Sequence, residues 1–309
     1  MSTSPRAGLG YALGAFGLWG VFPLFFPLLE PATPLEIVAH RVVWSLLFCA
    51  VLVAVARSWG ELLAVLRDRR MLGWLTLASV LLATNWLVFV FAVLAGHTVD
   101  ASLGYYINPI VTVALAVLVL GERLRTAQWV ALGFGAGAVV VISIGYGTVP
   151  WIALALAGSF ALYGLMKNRV GRTVGATTGL AVETLVLTPV ALGYLVWLHA
   201  SGAGTFGAHG GGHSALLATL GIATAVPLLC FAAATRRLPL SVVGLVQYLT
   251  PTMQLLVAVL VFHEAMPAAR WWGFALVWVA LALLGVDGWR TARRAHRLQR
   301  RTDLDGPPA

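Results

Sequence analysis

The side chains able to do chemistry sit inside stretches that are otherwise apolar. Arg41 is the one basic residue well inside such a stretch, with Trp44 on the same helical face and Glu36 five residues before it. At 1.5 Å per residue it would stand roughly 8 Å below the nearer end of a spanning helix. A guanidinium placed there pairs with Glu36, receives an anionic group from a substrate, or snorkels to the interface. Asn85-Trp86 falls near the middle of another apolar run, where an unpaired amide costs most. Glu183 lies five or six residues into a third run. It reads as a proton or cation site, or as half of an ion pair with an Arg at that helix end.

Two further polar sets are copies of each other. Tyr105, Asn108 and Thr112 share a face at i, i+3 and i+7, and Gln247, Thr250, Pro251 and Gln254 follow the same pattern. Adding 142 to residues 105–129 gives 247–271 without a gap, with nine identities, among them Tyr106/Tyr248, Pro109/Pro251 and Glu122/Glu264. Such a match marks a duplicated structural unit. Pro109 and Pro251 should each kink a helix and free the carbonyl four residues back, those of Tyr105 and Gln247. Either a neighbouring hydroxyl satisfies these groups or they line a cavity. Phe16-Gly-Leu-Trp19-Gly20 is likewise echoed by Phe160-Ala-Leu-Tyr163-Gly164. The candidate substrate-binding set is therefore Trp19, Arg41, Trp44, Asn85, Trp86, Tyr105, Asn108, Tyr163, Gln247 and Tyr248, with interhelical hydrogen bonding as the competing role.

The elements that must hold these residues are membrane helices. The 309 residues are 60% hydrophobic and 10% charged, against about 25% charged in soluble domains. Ten runs have spanning length: about 8–29, 36–56, 71–94, 101–120, 127–145, 149–166, 178–198, 215–235, 240–262 and 269–288. Eighteen of the twenty Lys and Arg fall at alternate ends of these runs, which puts both termini in the cytoplasm. The net charge of +9 is thus a topology signal, and nucleic acid is excluded as a partner because the basic residues are scattered in short runs. Two five-helix halves, 1–147 and 148–290, must then lie in opposite orientations, an inverted repeat of the kind secondary transporters use to open to either side. Residues 57–70 could form an interfacial amphipathic helix. The Gly-rich loop 199–214 reads as mobile, and the basic tail 291–309 as disordered. Glu122 and Glu264 read as caps on the helices that follow them.

Several chemistries are excluded or weak. No Walker motif, nucleophile elbow or zinc-protease signature occurs, so the chain reads as no enzyme with no cofactor. His209-Gly-Gly-Gly-His213 and His97-Thr-Val-Asp100 lack a third ligand, so no metal site is expected. Cys49 and Cys230 read as buried small apolar residues. Gly10/Gly14 and Gly133/Gly135/Gly137 read as close-packing helix faces. The alternatives to transport are an integral-membrane enzyme, for which no catalytic set converges at one depth, and a receptor, for which no signalling domain appears. The expected partners are a small-molecule substrate and the lipid bilayer, with a homodimer left open.

Trp19-Gly-Val-Phe-Pro23, Glu36-Ile-Val-Ala-His-Arg41-Val-Val-Trp44-Ser45, Asn85-Trp86, Gly96-His97, Ser102-Leu-Gly-Tyr-Tyr-Ile-Asn108-Pro109 and Gln247-Tyr248-Leu-Thr-Pro251-Thr resemble the RarD (chloramphenicol-sensitivity) branch of the EamA-type drug/metabolite transporters. The resemblance covers about 8–288. It implies an all-α bacterial inner-membrane permease of ten helices with both termini inside. Helices 1–4 and 6–9 would surround a cavity, with 5 and 10 as scaffold. Members of the wider superfamily move amino acids, metabolites or drugs, often outward, so the expected function is alternating-access export.

Overall fold

A computed structural model describes residues 5–120, 124–170, 174–235, 237–238 and 240–304, and the described residues are helical with no strand among them. Glu122 lies outside the described residues. The helices are α1 (Pro5–Val21), α2 (Pro34–Val55), α3 (Trp59–Arg67), α4 (Arg69–Leu94), α5 (Thr98–Leu120), α6 (Thr126–Tyr146), α7 (Trp151–Val170), α8 (Ala176–Ala200), α9 (Gly210–Thr235), α10 (Leu240–Val246), α11 (Leu249–Leu256) and α12 (Ala268–Leu304). Among the described residues nine segments are long and apolar enough to cross a membrane, and α7 adds a shorter apolar helix. The protein is a multi-pass membrane protein.

Local chemistry sets the helix ends. Thr33 accepts the Glu36 N–H at 3.3 Å, with Pro34 at the first helical position of α2. Asp68 accepts the N–H groups of Arg70 at 2.9 Å and Met71 at 3.0 Å to start α4. The expected first span, 8–29, is shorter as a helix. Phe22-Pro23 and Phe26-Pro27 each begin a short 3-10 turn with proline at its start, so α1 stops at Val21. The other expected spans agree within a few residues, and the amphipathic segment forms α3. The tail differs. Helix α12 continues to Leu304, because residues 290–301 are rich in Arg, Ala and Leu, which favour helix.

The bundle has two ends. One carries Arg67, Arg125, Lys167 and Arg237 and is called the basic end below. At the other, the far end, Glu36 meets Thr205, and Glu264 meets Thr98. Helix α2 packs on α8 and α9, α1 on α9 and α11, α5 on α7 and α11, and α4 on α7. The pair α6 and α12 packs on itself and reaches the rest chiefly through α5, with α12 also touching α10. One apolar cluster joins α2, α4, α7 and α9 around Phe26, Ile37, Phe89 and Leu217. A second joins α5, α6, α11 and α12 around Leu103, Tyr106, Ile142 and Phe274.

The two proline helices differ. Helix α5 runs unbroken through Pro109, whereas its copy is interrupted: α10 ends at Val246, Gln247 and Tyr248 form a turn, and α11 resumes at Leu249. The Gln247 carbonyl freed by Pro251 accepts the Thr250 N–H at 3.2 Å. A π-turn, Val257–Val261, follows α11. Of the small-residue faces, Gly135 touches Ile110, while Gly10, Gly14 and Gly133 face open space. A close backbone approach lies elsewhere, where Gly221 of α9 meets the backbone carbonyl of Trp44 in α2.

A Cβ at position 221 has nowhere to go, because a backbone atom occupies its place. Gly221→Val should therefore lower stability by at least about 2 kcal/mol, read as a lower thermal unfolding midpoint of the purified protein. Gly14→Ala, where nothing lies within 4 Å of the added carbon, should leave the midpoint unchanged.

Candidate functional site

A cavity of about 450 Å3 runs through the bundle, lined by residues of α1, α2, α4, α5, α7, α8, α9 and α11. It reaches the basic end at Lys167, Ala176 and Thr177. Toward the far end it stops beneath an aromatic stack. Phe22 meets Phe26 with ring centres 5.0 Å apart, Phe26 meets Phe89 at 5.7 Å, and Phe89 meets Tyr105 at 5.6 Å.

Arg41 stands at that closed end, 4% exposed. Its guanidinium lies 4.0 Å from the centre of the Trp86 ring and 5.0 Å from that of Phe22. Its Nε donates to Thr224 Oγ1 at 2.8 Å. Among the described residues no carboxylate lies within ion-pair distance of it. Glu36 is not its partner. One helical turn and a half away, Glu36 instead accepts the Thr205 N–H at 2.7 Å and the Thr205 hydroxyl at 2.9 Å. A guanidinium over an indole face is held by the ring quadrupole, but its net charge is left without a counter-charge.

The other candidates divide into two groups. Trp19, Asn85, Trp86, Tyr105, Asn108, Tyr163, Gln247 and Tyr248 all line the cavity. Asn85 is also bonded on every side: it donates to the Leu156 carbonyl and to Ser159 Oγ, each at 3.1 Å, and accepts from the Tyr105 hydroxyl at 3.0 Å. Asn108 donates to the Ala157 carbonyl at 3.2 Å. Trp44 is not among the lining residues. Its ring faces Phe206 at 6.2 Å, because the close α2–α9 approach at Gly221 turns that side of α2 away from the cavity. Pro251 lines the cavity; Pro109 does not, consistent with the unbroken course of α5. Thr112 is exposed and bonds back to the Asn108 carbonyl at 2.9 Å.

Glu183, 1% exposed, lines the cavity near the basic end. Its partner is a lysine, not an arginine: Lys167 Nζ lies 2.8 Å from Oε1, and the Tyr163 hydroxyl donates to Oε2 at 3.3 Å. Lys167 was the residue sequence reasoning passed over, being counted only as part of a basic helix end. Thr224 was missed as well. Its signal is weak, since a lone threonine in an apolar helix usually bonds its own backbone, as it also does here to Leu220 at 2.8 Å.

Comparison with known proteins fits this geometry. A model of the EamA-like transporter family matches residues 6–144. Protein RarD of Streptomyces exfoliatus is 52% identical over 94% of this chain and 92% of its own length. An uncharacterized transporter of Vibrio cholerae is 40% identical over 94% and 96%. The chain belongs to the RarD group of EamA-like transporters. A solved crystal structure with 20% identity superposes with a TM-score of 0.58 over 91% of this chain and 98% of that one, so the fold is shared. The protein is a RarD-family membrane transporter.

The far end of this RarD-family bundle is shut by polar ties as well as aromatic ones. Glu264 caps α5, not the helix that follows it, accepting the N–H groups of Thr98 at 2.7 Å and Val99 at 2.9 Å. Asp100 pairs with Arg270 at 3.1 Å. The glycine-rich loop is docked, contrary to its reading as mobile. Thr205 is 5% exposed and held by Glu36, His213 Nε2 lies 2.8 Å from its hydroxyl, and Phe206 stacks on His40 at 5.0 Å. A buried carboxylate and an aromatic groove on α2 supply anchors that glycine content does not reveal. Among the described residues no group of His, Cys, Asp or Glu is placed to hold a metal.

Two substitutions check these bonds by thermal unfolding. Asn85→Leu strands the Tyr105 hydroxyl and should cost about 2 to 3 kcal/mol. Glu264→Ala leaves two amides at the start of α5 without an acceptor and should cost about 1 to 2 kcal/mol.

Proposed function

We propose that this chain is a secondary transporter of organic anions with an apolar or aromatic body, exporting them across the bacterial inner membrane by alternating access. The observation that carries the reading is Arg41: a buried guanidinium without a carboxylate partner among the described residues, at the blind end of a cavity walled by Trp19, Phe22, Trp86 and Tyr105. A carboxylate or similar group on the substrate supplies the missing counter-charge, and the aromatic walls take its body. Amino-acid-like compounds, acidic metabolites and drugs bearing such a group fall within this class.

The fold reading follows from the same features. The chain forms ten spanning segments as two inverted five-helix repeats, with α10, α11 and the π-turn counted as one broken span. Supporting it are the 142-residue register, which relates the start of α5 at Thr98 to the start of α10 at Leu240, and the peripheral pairing of α6 with α12, the fifth helix of each half. The distribution of Lys and Arg puts the basic end and both termini in the cytoplasm. A cavity that reaches the basic end is then the form that loads substrate from inside, which supports export. Movement to the other form requires the far-end ties to part and the basic end to close, with the interrupted helix as the flexible element. Glu183 is the candidate proton site.

A comparison of culture media tests the reading. Strains lacking the protein, overproducing it, or overproducing Arg41→Gln are analysed for released small molecules. Compounds raised by the wild type should carry an acidic group and should fall back with Arg41→Gln. In proteoliposomes, flux of such a compound should drop about tenfold or more with Arg41→Gln, the equivalent of 1.4 kcal/mol, and less with Asn108→Ala. Wild-type flux through Arg41→Gln, or release of compounds without an acidic group, would remove the anion assignment.

A further inference from the structure

At the basic end the cavity holds a second charged feature that anion binding at Arg41 does not use. Glu183 is buried to 1% exposure, while Lys167, sixteen residues earlier on α7, reaches it with a side chain that is 29% exposed. Lys167 is the sole lysine of the chain. Its ammonium sits 5.8 Å from the centre of the Tyr163 ring, whose hydroxyl bonds the other Glu183 oxygen. Gly179 leaves the opening it passes through, since a Cβ there would lie 3.0 Å from Nζ. A buried carboxylate and an aromatic ring, both lining the cavity, are the parts of an ammonium-binding pocket.

We propose that Glu183 and Tyr163 form a subsite for a primary ammonium group, and that Lys167 occupies it as a tethered stand-in when no ligand is bound. An incoming ammonium takes the bonds to Glu183, and Lys167 swings to the exposed cavity mouth, where water solvates it. Exchanging one ammonium for another leaves the buried carboxylate compensated throughout, whereas simply withdrawing Lys167 would leave an uncompensated buried charge. The inference deepens the transport reading by adding a cationic group to the ligands the cavity accepts. Its physiological meaning rests on that reading, but its test does not.

The experiment uses the full-length purified chain, its thermal unfolding read by tryptophan fluorescence, and methylammonium as probe against sodium at equal ionic strength. Lys167→Ala should unfold at a lower temperature than the wild type. Methylammonium should restore at least half of that loss in a saturable way, sodium should not, and the wild type should be unmoved. Lys167→Ala combined with Glu183→Gln should not respond. Lys167→Met, which keeps the aliphatic stem, should respond as the alanine variant does. The same response with Glu183→Gln present, equal effects of sodium, or no response in either single variant overturns the proposal. So does a single variant that stays unfolded in methylammonium while the double variant folds. Because no flux is measured, this result is separable from the outcome of the Arg41 experiment.

Discussion

A guanidinium carries five N–H donors and a charge that no buried environment removes. In this transporter Arg41 holds that group inside the helix bundle, one bond to Thr224 and two aromatic faces being its visible support. Hydrocarbon cannot solvate it, so the surrounding helices must keep water or a ligand within reach. The cavity answers that requirement. Its lining runs from the buried Arg41 to Lys167 and Ala176 near the basic end.

At the far end three carboxylates are tied to distant parts of the chain. Glu36 is tied to Thr205, Glu264 to the start of α5, and Asp100 to Arg270, each across more than 160 residues of sequence. A helix N-terminus with unsatisfied amides is attracted to a carboxylate, and Glu264 brings that carboxylate from the end of the broken span. Near the cavity the broken span is tied to α1 as well, Thr250 bonding the Phe16 carbonyl at 2.8 Å and Gln254 the Trp19 carbonyl at 3.2 Å. The two proline helices therefore do different work despite their shared sequence: α5 is a continuous wall, and α10–α11 is a jointed one.

What the sequence made legible was periodic or local. Hydropathy marked most of the long helices to within a few residues, the first and last excepted, because in lipid every backbone group must be satisfied inside its own helix. The 142-residue register found both proline segments. Nine of the ten candidate residues, from Trp19 to Tyr248, line the cavity. Partners were not legible. Of the partners expected for Arg41, Glu36 is tied to Thr205 instead, and the fold sets the guanidinium against Trp86 and Thr224. Glu183 was matched to an arginine and met Lys167. Trp44 shares a helical face with Arg41 by spacing, but the backbone contact at Gly221 rotates that part of the surface onto α9. Such outcomes depend on which helices approach closely, and a single residue without a side chain, far away in sequence, decides that.

The charges lining the cavity also constrain what can cross. Among the described residues they are Arg41, Lys167 and Glu183, one pair and one surplus cation. Lys167 and Glu183 already cancel, at the end where water is near. The surplus sits at the aromatic end, against the Trp86 and Phe22 rings. A neutral molecule arriving there would leave the guanidinium as it was and shut it further from water, a penalty that grows as the site is occluded. A monoanion would instead cancel the surplus at the moment of occlusion, so the loaded and closed form would be the better solvated of the two. On the proposed reading, selectivity for an acidic group follows from the cost of closing the site around an unpaired charge, and the empty carrier must either retain water beside Arg41 or remain open.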